Sequence, residues 1–356
     1  MNTIAMLAFL MAGFLTLATL APFIQRTEWW IRVFDFPRLQ ISFLGIFTLG
    51  LCLIVFQGRW FEWLVTILLL TAVVWQLRKI LPFTPFYKSP VLRVEPTEKS
   101  RQISIMVANV LMSNQQSAQL CDMVESNQPD ILLAMETDLH WEQALAVLEK
   151  QYPFAVCWPQ DNLYGMHLYS KFELIEPEVQ FLIEDNVPSI HTKVRLPSGD
   201  QIMLHCLHPA PPSPTENDKS IERDAELITV AKRVKSNPLP TIVTGDLNDV
   251  AWSATTLLFR KISGLMDPRI GRGFFNTFHA MHWFLRWPLD HLFHSNDFGL
   301  LAISRLGYFG SDHFPILCQL QYLPGNTHRQ PEPKPDEKDH RLAEQTLTEA
   351  EDNPSN

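Results

Sequence analysis

Apolar positions are spread unevenly, and the first eighty residues hold the longest unbroken runs. Ile4 to Ile24 carries no charge for about six helical turns, a length that spans a hydrocarbon core. Leu39 to Phe56 and Phe61 to Leu77 are a second and a third run. Only Gln57-Gly58-Arg59-Trp60 separates them, which predicts a tight helical hairpin. Trp29, Trp30, Trp60 and Trp63 stand near the run ends, where amphipathic rings favour the membrane interface. A cleavable signal peptide would need a basic segment before the first run, and none is present.

After position 80 the pattern changes to short β-branched runs alternating with helical periodicity. Strands are predicted over Ile103–Val110, Asp130–Glu136, Gly165–Ser170, Leu289–Phe293 and Ile316–Leu320, with another through Ile242 and Val243 that Gly245 stops, allowing a tight turn or a close backbone approach. Ile190–Leu196 and Gln201–Leu207 read as a hairpin around Pro197-Ser-Gly-Asp200. Ser117–Ser126, Trp141–Lys150 (apolar side Ala144, Val147, Leu148) and Ser220–Lys235 (Ile221, Ala225, Ile228, Ala231 on one face) suit helices. The predicted division is a membrane anchor with three transmembrane helices over 1–80, a Pro-rich linker over 81–94, one domain over 95–323 and a disordered acidic tail over 324–356. The proline spacing of the linker predicts a stiff, extended spacer that lifts the domain off the membrane.

Charge orients this arrangement. Arg26, Arg32 and Arg38 lie in the first loop, and Arg78, Lys79, Lys88 and Arg93 follow the third run. With three spans both groups fall on one side, so the expectation is a multi-pass protein of the inner (cell) membrane with its domain in the cytoplasm. The net charge of −9 argues against a protein that coats polyanions. Cys52, Cys121, Cys157, Cys206 and Cys318 are far apart without C-x-x-C spacing and read as buried thiols in a reducing compartment.

Polar residues interrupt the apolar runs at strand ends: Asn109, Glu136, His208, Asp246 with Asn248, Asp290, and Asp312 with His313. Gly245-Asp246-Leu247-Asn248 taken alone is explained by an Asx-turn closing a strand. Singly buried charges are costly unless paired or metal-bound, so convergence on one sheet edge accounts for the whole set more simply. Asp246 and Asn248, two apart in an extended chain, would point the same way and could hold a water.

This series, with Gly245-Asp246-Leu247-Asn248 and Ser311-Asp312-His313 as its firmest parts, resembles the endonuclease/exonuclease/phosphatase superfamily (deoxyribonuclease I-like), in a membrane-anchored bacterial branch. The resemblance covers about Ile103 to Leu320. It implies an α/β (α+β) fold, a four-layer α-β-β-α sandwich of two mixed sheets, here preceded by three transmembrane helices. It also implies metal-dependent hydrolysis of a phosphoester. By position, Glu136 would be the principal ligand of Mg²⁺ or Mn²⁺, with Asn109 and Asp312 beside it. Asp246 would orient and deprotonate the attacking water, and Asn248 would hold water or a phosphate oxygen. His208 and His313 would donate to the phosphoryl oxygens, and Asp290 would fix the His313 tautomer. Leu111 stands where the family often has an acid, and Lys171 replaces a usual arginine. His167, His191, His205, His279, His282 and His294 match nothing in the family and suit core or surface roles.

Substrate is less defined. Between Glu95 and Leu323 there are seventeen Lys and Arg against twenty-seven Asp and Glu, whereas a nuclease gripping a duplex gains from basic excess. Lys232-Arg233-Lys235, read as a solvated helix face, and a loop with Arg269 and Arg272 are the local basic surfaces. The aromatic-dense Gly271–Trp287 segment is core by default, or a membrane-facing or base-stacking loop. Three readings stand. The first is a membrane-tethered, metal-dependent phosphoesterase acting on DNA or RNA, or on a lipid or small phosphodiester. The second is a catalytically inactive, membrane-anchored interaction domain, and the third a transporter or sensor, which the lack of charge inside the spans opposes.

Overall fold

The computed structural model describes residues 3–24, 26–325 and 327–352. Four helices come first: α1 (Thr3–Leu20), the single turn α2 (Trp29–Arg32), α3 (Arg38–Val55) and α4 (Trp60–Ile80). The three long ones are long and apolar enough to cross a membrane. Small residues permit their close packing: Ala8, Ala12 and Ala18 of α1 are buried, and a Cβ on Gly45 would meet Val73 Cγ2 at 2.5 Å. Phe43, Phe47, Leu53 and Ile54 of α3 face outward and are exposed.

The spans are not free of charge, contrary to the expectation above. Glu62, buried in the first turn of α4, accepts from the backbone N–H of Gln57 and of Arg59, both at 2.9 Å, and closes the helical hairpin. At the opposite end Arg38 pairs with Asp35 and donates to Gln76 Oε1 at 2.8 Å; Gln76 Nε2 donates to Thr19 Oγ1 at 3.0 Å. This buried chain ties the three spans together.

The remainder runs β1 (Gln102–Asn109), α5 (Ser117–Asn127), β2 (Ile131–Met135), α6 (Leu139–Leu145), β3 (Phe154–Trp158), β4 (Met166–Ser170), β5 (Glu173–Gln180), β6 (Ser189–Arg195), β7 (Gln201–Leu207), α7 (Ile221–Ser236), β8 (Thr241–Asp246), α8 (Ala254–Ser263), β9 (Asp290–His294), β10 (Phe298–Arg305), β11 (Ile316–Tyr322) and α9 (Glu337–Asp352). Two mixed sheets form, in the orders β10-β11-β1-β2-β4-β3 and β5-β6-β7-β8-β9. Alternation along β1 explains the layering. Ile103, Ile105 and Val107 meet Ile202, Leu204 and Ile242 of the second sheet, while Met106 and Ala108 meet Leu120 and Val124 of α5 and Trp141 of α6. On the outer face of the second sheet α7 and α8 pack against Leu207, Val243 and Phe293. The result is an α-β-β-α sandwich.

Several expectations need correction. Gly245 does not stop its strand; β8 runs on through Asp246. It is there for close approach, with φ 141° and a Cβ position only 1.9 Å from the Leu207 carbonyl oxygen. Val147 is 62% exposed, and Trp141 and Leu145 form the buried side of α6. Residues 81–94 are no spacer. Phe83 is buried against Trp252 and Val91 enters the core, while Arg272 donates to Ser89 Oγ and to Val91 O. Within the tail, α9 is helical because it has a partner. Ala343 buries against α7 and α8, Lys261 pairs with Asp339, and Lys232–Glu344 and Lys235–Glu332 join the acidic segment to two lysines read as a solvated face. Residues 353–356 of that tail lie outside the described residues. Arg269 is buried with Asp267 at 2.9 Å, so it forms no basic surface. The aromatic segment divides: Phe274, Phe278 and Trp287 pack beside Trp252 and Leu289, and Met281, Trp283 and Phe284 stay exposed.

Candidate active site

Strand direction brings the polar strand ends together. β1 with β2 and β7 with β8 are parallel pairs, so Asn109, Glu136, His208 and Asp246 all leave carboxyl ends. β9 and β11 run antiparallel to β8 and β1, so Asp290 and the Ser311–His313 turn enter at the same edge. The two sheets touch there, where the Asp246 N–H donates to Met135 Sδ at 3.2 Å.

Asn109 is the bridge. Its Nδ2 donates to Glu136 Oε1 at 2.7 Å and to Asp246 Oδ2 at 3.2 Å. His313 Nδ1 lies 2.8 Å from Asp290 Oδ2, and its Nε2 lies 3.5 Å from Asp246 Oδ2. Burial disfavours the charged ring, yet Asp290 and Asp246 outweigh it and carry His313 up to about 10. Burial likewise opposes ionisation of Asp246, but His313, His208, the Asn248 N–H and the Asn109 amide hold its carboxyl below the ordinary range. Asp290 is raised, by burial first and then by the Asp246 charge.

Asp246 and Asn248 do form an Asx-turn, since the Asn248 N–H donates to Asp246 Oδ1 at 2.9 Å. They do not point the same way, because Asn248 turns to φ 50° and its amide donates to Pro209 O at 3.0 Å. That bond pins the loop after His208. His208 itself is buried with its pKa lowered by burial, the Tyr164 ring 5.3 Å away, and Nδ1 without a partner among the described residues. The turn before His313 is fixed by Ser311, whose hydroxyl donates to Asn109 O at 2.8 Å and accepts from the His313 N–H at 3.0 Å.

Glu136 has φ 61°, a left-handed backbone that a non-glycine residue adopts at a cost. Burial drives its carboxyl up to about 7; Asn109 and His313 moderate the rise, and Asp312 and Asp246 add to it. An acid left short of positive charge, with further hard oxygen donors nearby, fits a divalent cation such as Mg²⁺. Asp246, Asp290 and His313 also offer ligand atoms within 4.8 Å of one another. Their imidazole already faces a carboxylate from each ring nitrogen, which suits proton handling better than ligation.

Supporting residues escaped the sequence reading. Buried Arg223 donates to Asn248 O at 2.8 Å and pairs with Asp224 and Asp249. Arg269 Nη1 donates to Asp290 O at 3.2 Å, and the Asp290 N–H donates to Thr277 Oγ1 at 3.2 Å. Ala280 N–H donates to Asp312 O at 2.6 Å. Lys171 lies at the far end of β4, away from Glu136. The one signal available was the charged pair Arg223-Asp224 among the apolar residues of the helix that the sequence placed over Ser220–Lys235.

The sequence profile of the Endonuclease/Exonuclease/phosphatase family matches residues 106–313. The chain belongs to that family. Its members are typically metal-dependent hydrolases of phosphoesters, nucleases among them. No curated protein gives a significant match. Among solved structures, D. rerio TDP2 complexed with single strand DNA product is similar at 17% identity and a TM-score of 0.51, over 62% of this chain and 99% of that one. The human Nocturnin catalytic domain with bound sulfate is similar at 17% identity and a TM-score of 0.51, over 63% and 94%. An endonuclease/exonuclease/phosphatase from Beutenbergia cavernae shares 13% identity with a TM-score of 0.50, over 63% and 72%. These likenesses establish the fold.

Proposed function

We propose that the chain is a membrane-tethered, divalent-metal-dependent phosphodiesterase. The observation that carries the reading is the Asn109 amide set between Glu136 and Asp246, with His313 joining Asp246 to Asp290. Glu136, with Asn109 and Asp312 beside it, would hold Mg²⁺ or Mn²⁺. That ion, when bound, supplies positive charge to the phosphoryl oxygens.

The remaining work belongs to side chains. Asp246, held ionised, orients a water and accepts one of its protons as the oxygen bonds to phosphorus. The phosphorus–oxygen bond to one alcohol breaks, and the departing oxygen receives the proton. The products are an alcohol and a phosphomonoester. His313, kept protonated by its two carboxylates, and His208 donate to the phosphoryl oxygens as charge develops. Asn248 acts through its backbone N–H, which fixes the Asp246 carboxylate, and its amide holds the His208 loop.

Bis-p-nitrophenyl phosphate turnover by the full chain tests this. Activity should need Mg²⁺ or Mn²⁺ and vanish in Asp246→Asn with the fold intact; undiminished turnover in that variant refutes the role. A nucleic acid is the second reading for the substrate, supported by the likeness to a DNA-bound TDP2 and opposed by the acidic domain surface. The basic loops support a cytoplasmic domain at the cell membrane, and periplasmic activity of a reporter joined after Asp352 would overturn that.

A further inference from the structure

The loops that build the site are also the loops that meet the membrane helices. Past His208, the chain pairs with the segment between the first two spans: Trp29 N–H donates to Asp218 O at 3.0 Å, and Ser220 N–H to Thr27 O at 2.8 Å. Past Asp246, Trp252 Nε1 donates to Asp35 O at 2.8 Å, and Val250, Ala251 and Trp252 pack with Ile80 and Phe83 at the end of the third span. Before Asp290, Trp287 stacks edge-on against Phe36, and Gln40 in the first turn of α3 donates to Phe284 O at 2.7 Å. Three catalytic strand ends thus sit on the ends of the spans.

The loop between Phe278 and Trp287 links the two functions directly. Its base touches the site, with the Phe278 ring 4.9 Å from that of His313 and the Ala280 N–H on Asp312 O. Its tip exposes Met281, Trp283 at 79% and Phe284, beside Gln40 of a membrane helix. Trp and Phe at that level match the interfacial belt of a bilayer, and among the described residues nothing covers them.

Resting on the phosphodiesterase reading, we infer that the 281–284 tip inserts into the bilayer interface and that the ester hydrolysed is the phosphodiester of a membrane lipid. Water adds to the lipid phosphorus, the bond to one of its two alcohols breaks, and that alcohol leaves with a proton. The catalytic edge facing the spans places this bond at headgroup depth, and the domain, with more acids than bases, has no basic excess to favour a polyanion instead.

The test uses the full chain reconstituted in vesicles of phosphatidylethanolamine and phosphatidylglycerol. Wild type should release alcohol or phosphomonoester from these lipids, with single-stranded DNA at least about tenfold poorer in kcat/KM. Met281→Ser/Trp283→Ser/Phe284→Ser should lower lipid turnover about tenfold and spare bis-p-nitrophenyl phosphate. A bimane probe on Trp283→Cys, in a background lacking the five native cysteines, should be quenched by nitroxide lipids more than by an aqueous quencher. Quenching from water alone, preference for DNA, or equal loss on both esters in the triple variant overturns the inference. If wild type cleaves no ester at all, the hydrolase reading fails, and the probe still decides whether the tip is inserted.

Discussion

At the end of the sandwich far from the spans, Asp130 accepts from Ser104 N–H at 2.7 Å and from Ser104 Oγ at 2.6 Å, while its own N–H returns to that hydroxyl at 2.9 Å. Thr241 and Ser295 close the neighbouring strand end in the same manner. At the near end Asn109, His208, Asp246, Asp290 and His313 are more deeply buried, and their partners are less complete. His208 Nδ1 and Asp290 Oδ1 have no partner among the described residues, and Glu136 is pushed up to about 7. Strand-end polar residues are therefore ordinary; charge left uncompensated is what separates a site from a turn.

The largest way to break this contrast is chelation. EDTA should take phosphodiester turnover to background and Mg²⁺ or Mn²⁺ should restore it; activity that survives chelation would mean the near end needs no cation. Next, Asp290→Asn should lower kcat by about 10²-fold with little change in KM, because the His313 ring loses its orienting carboxylate. A matching rise in KM would place Asp290 in binding instead. The buried pair His191 and His205, 2.7 Å apart, sits within the second sheet and sharpens the comparison from another side. Burial lowers them to about 3 and about 4. Their unfolded forms titrate near 6.5, so their contribution is complete above that pH and is lost as pH falls toward 4. The unfolding free energy from urea titration should drop over that window by a few kcal/mol, and His205→Leu should flatten the slope. Smallest, Asp130→Ala should destabilise the fold by about 1–3 kcal/mol and leave kcat unchanged, as expected of a closed strand end.

Inner strands were legible because both their faces are buried: β1, β2, β7 and β8 read as runs of Ile, Val and Leu. The edge strands β3, β5 and β10 were not, although β9, also at an edge, was. β3 is half exposed, and β5 carries Glu173, Glu176, Glu178 and a proline, with a bulge between Ile175 and Glu178, all devices that blunt a free edge and mask the strand pattern. Helix α9 looked disordered because the lysines that hold it, Lys261 on Asp339 and Lys232 on Glu344, lie 78 and 112 residues away in sequence. The candidate site announced itself through acids and imidazoles inside apolar runs. Thr277 and Tyr164 did not, since each serves the site through a contact set by tertiary packing, and Arg223 showed only as a charge within a helix.

The contact of Ile80 and Phe83 with Trp252 bears on how the protein should be handled at the bench. Shortening the chain to begin at position 95, the usual route to a tractable soluble fragment, would strip away that greasy lid together with Phe36 and Val91. The raw surface so created would open at Trp252, six residues from Asp246. Such a fragment would be prone to clumping and to reporting a damaged enzyme, so detergent or nanodisc preparations of the intact polypeptide are the proper starting material.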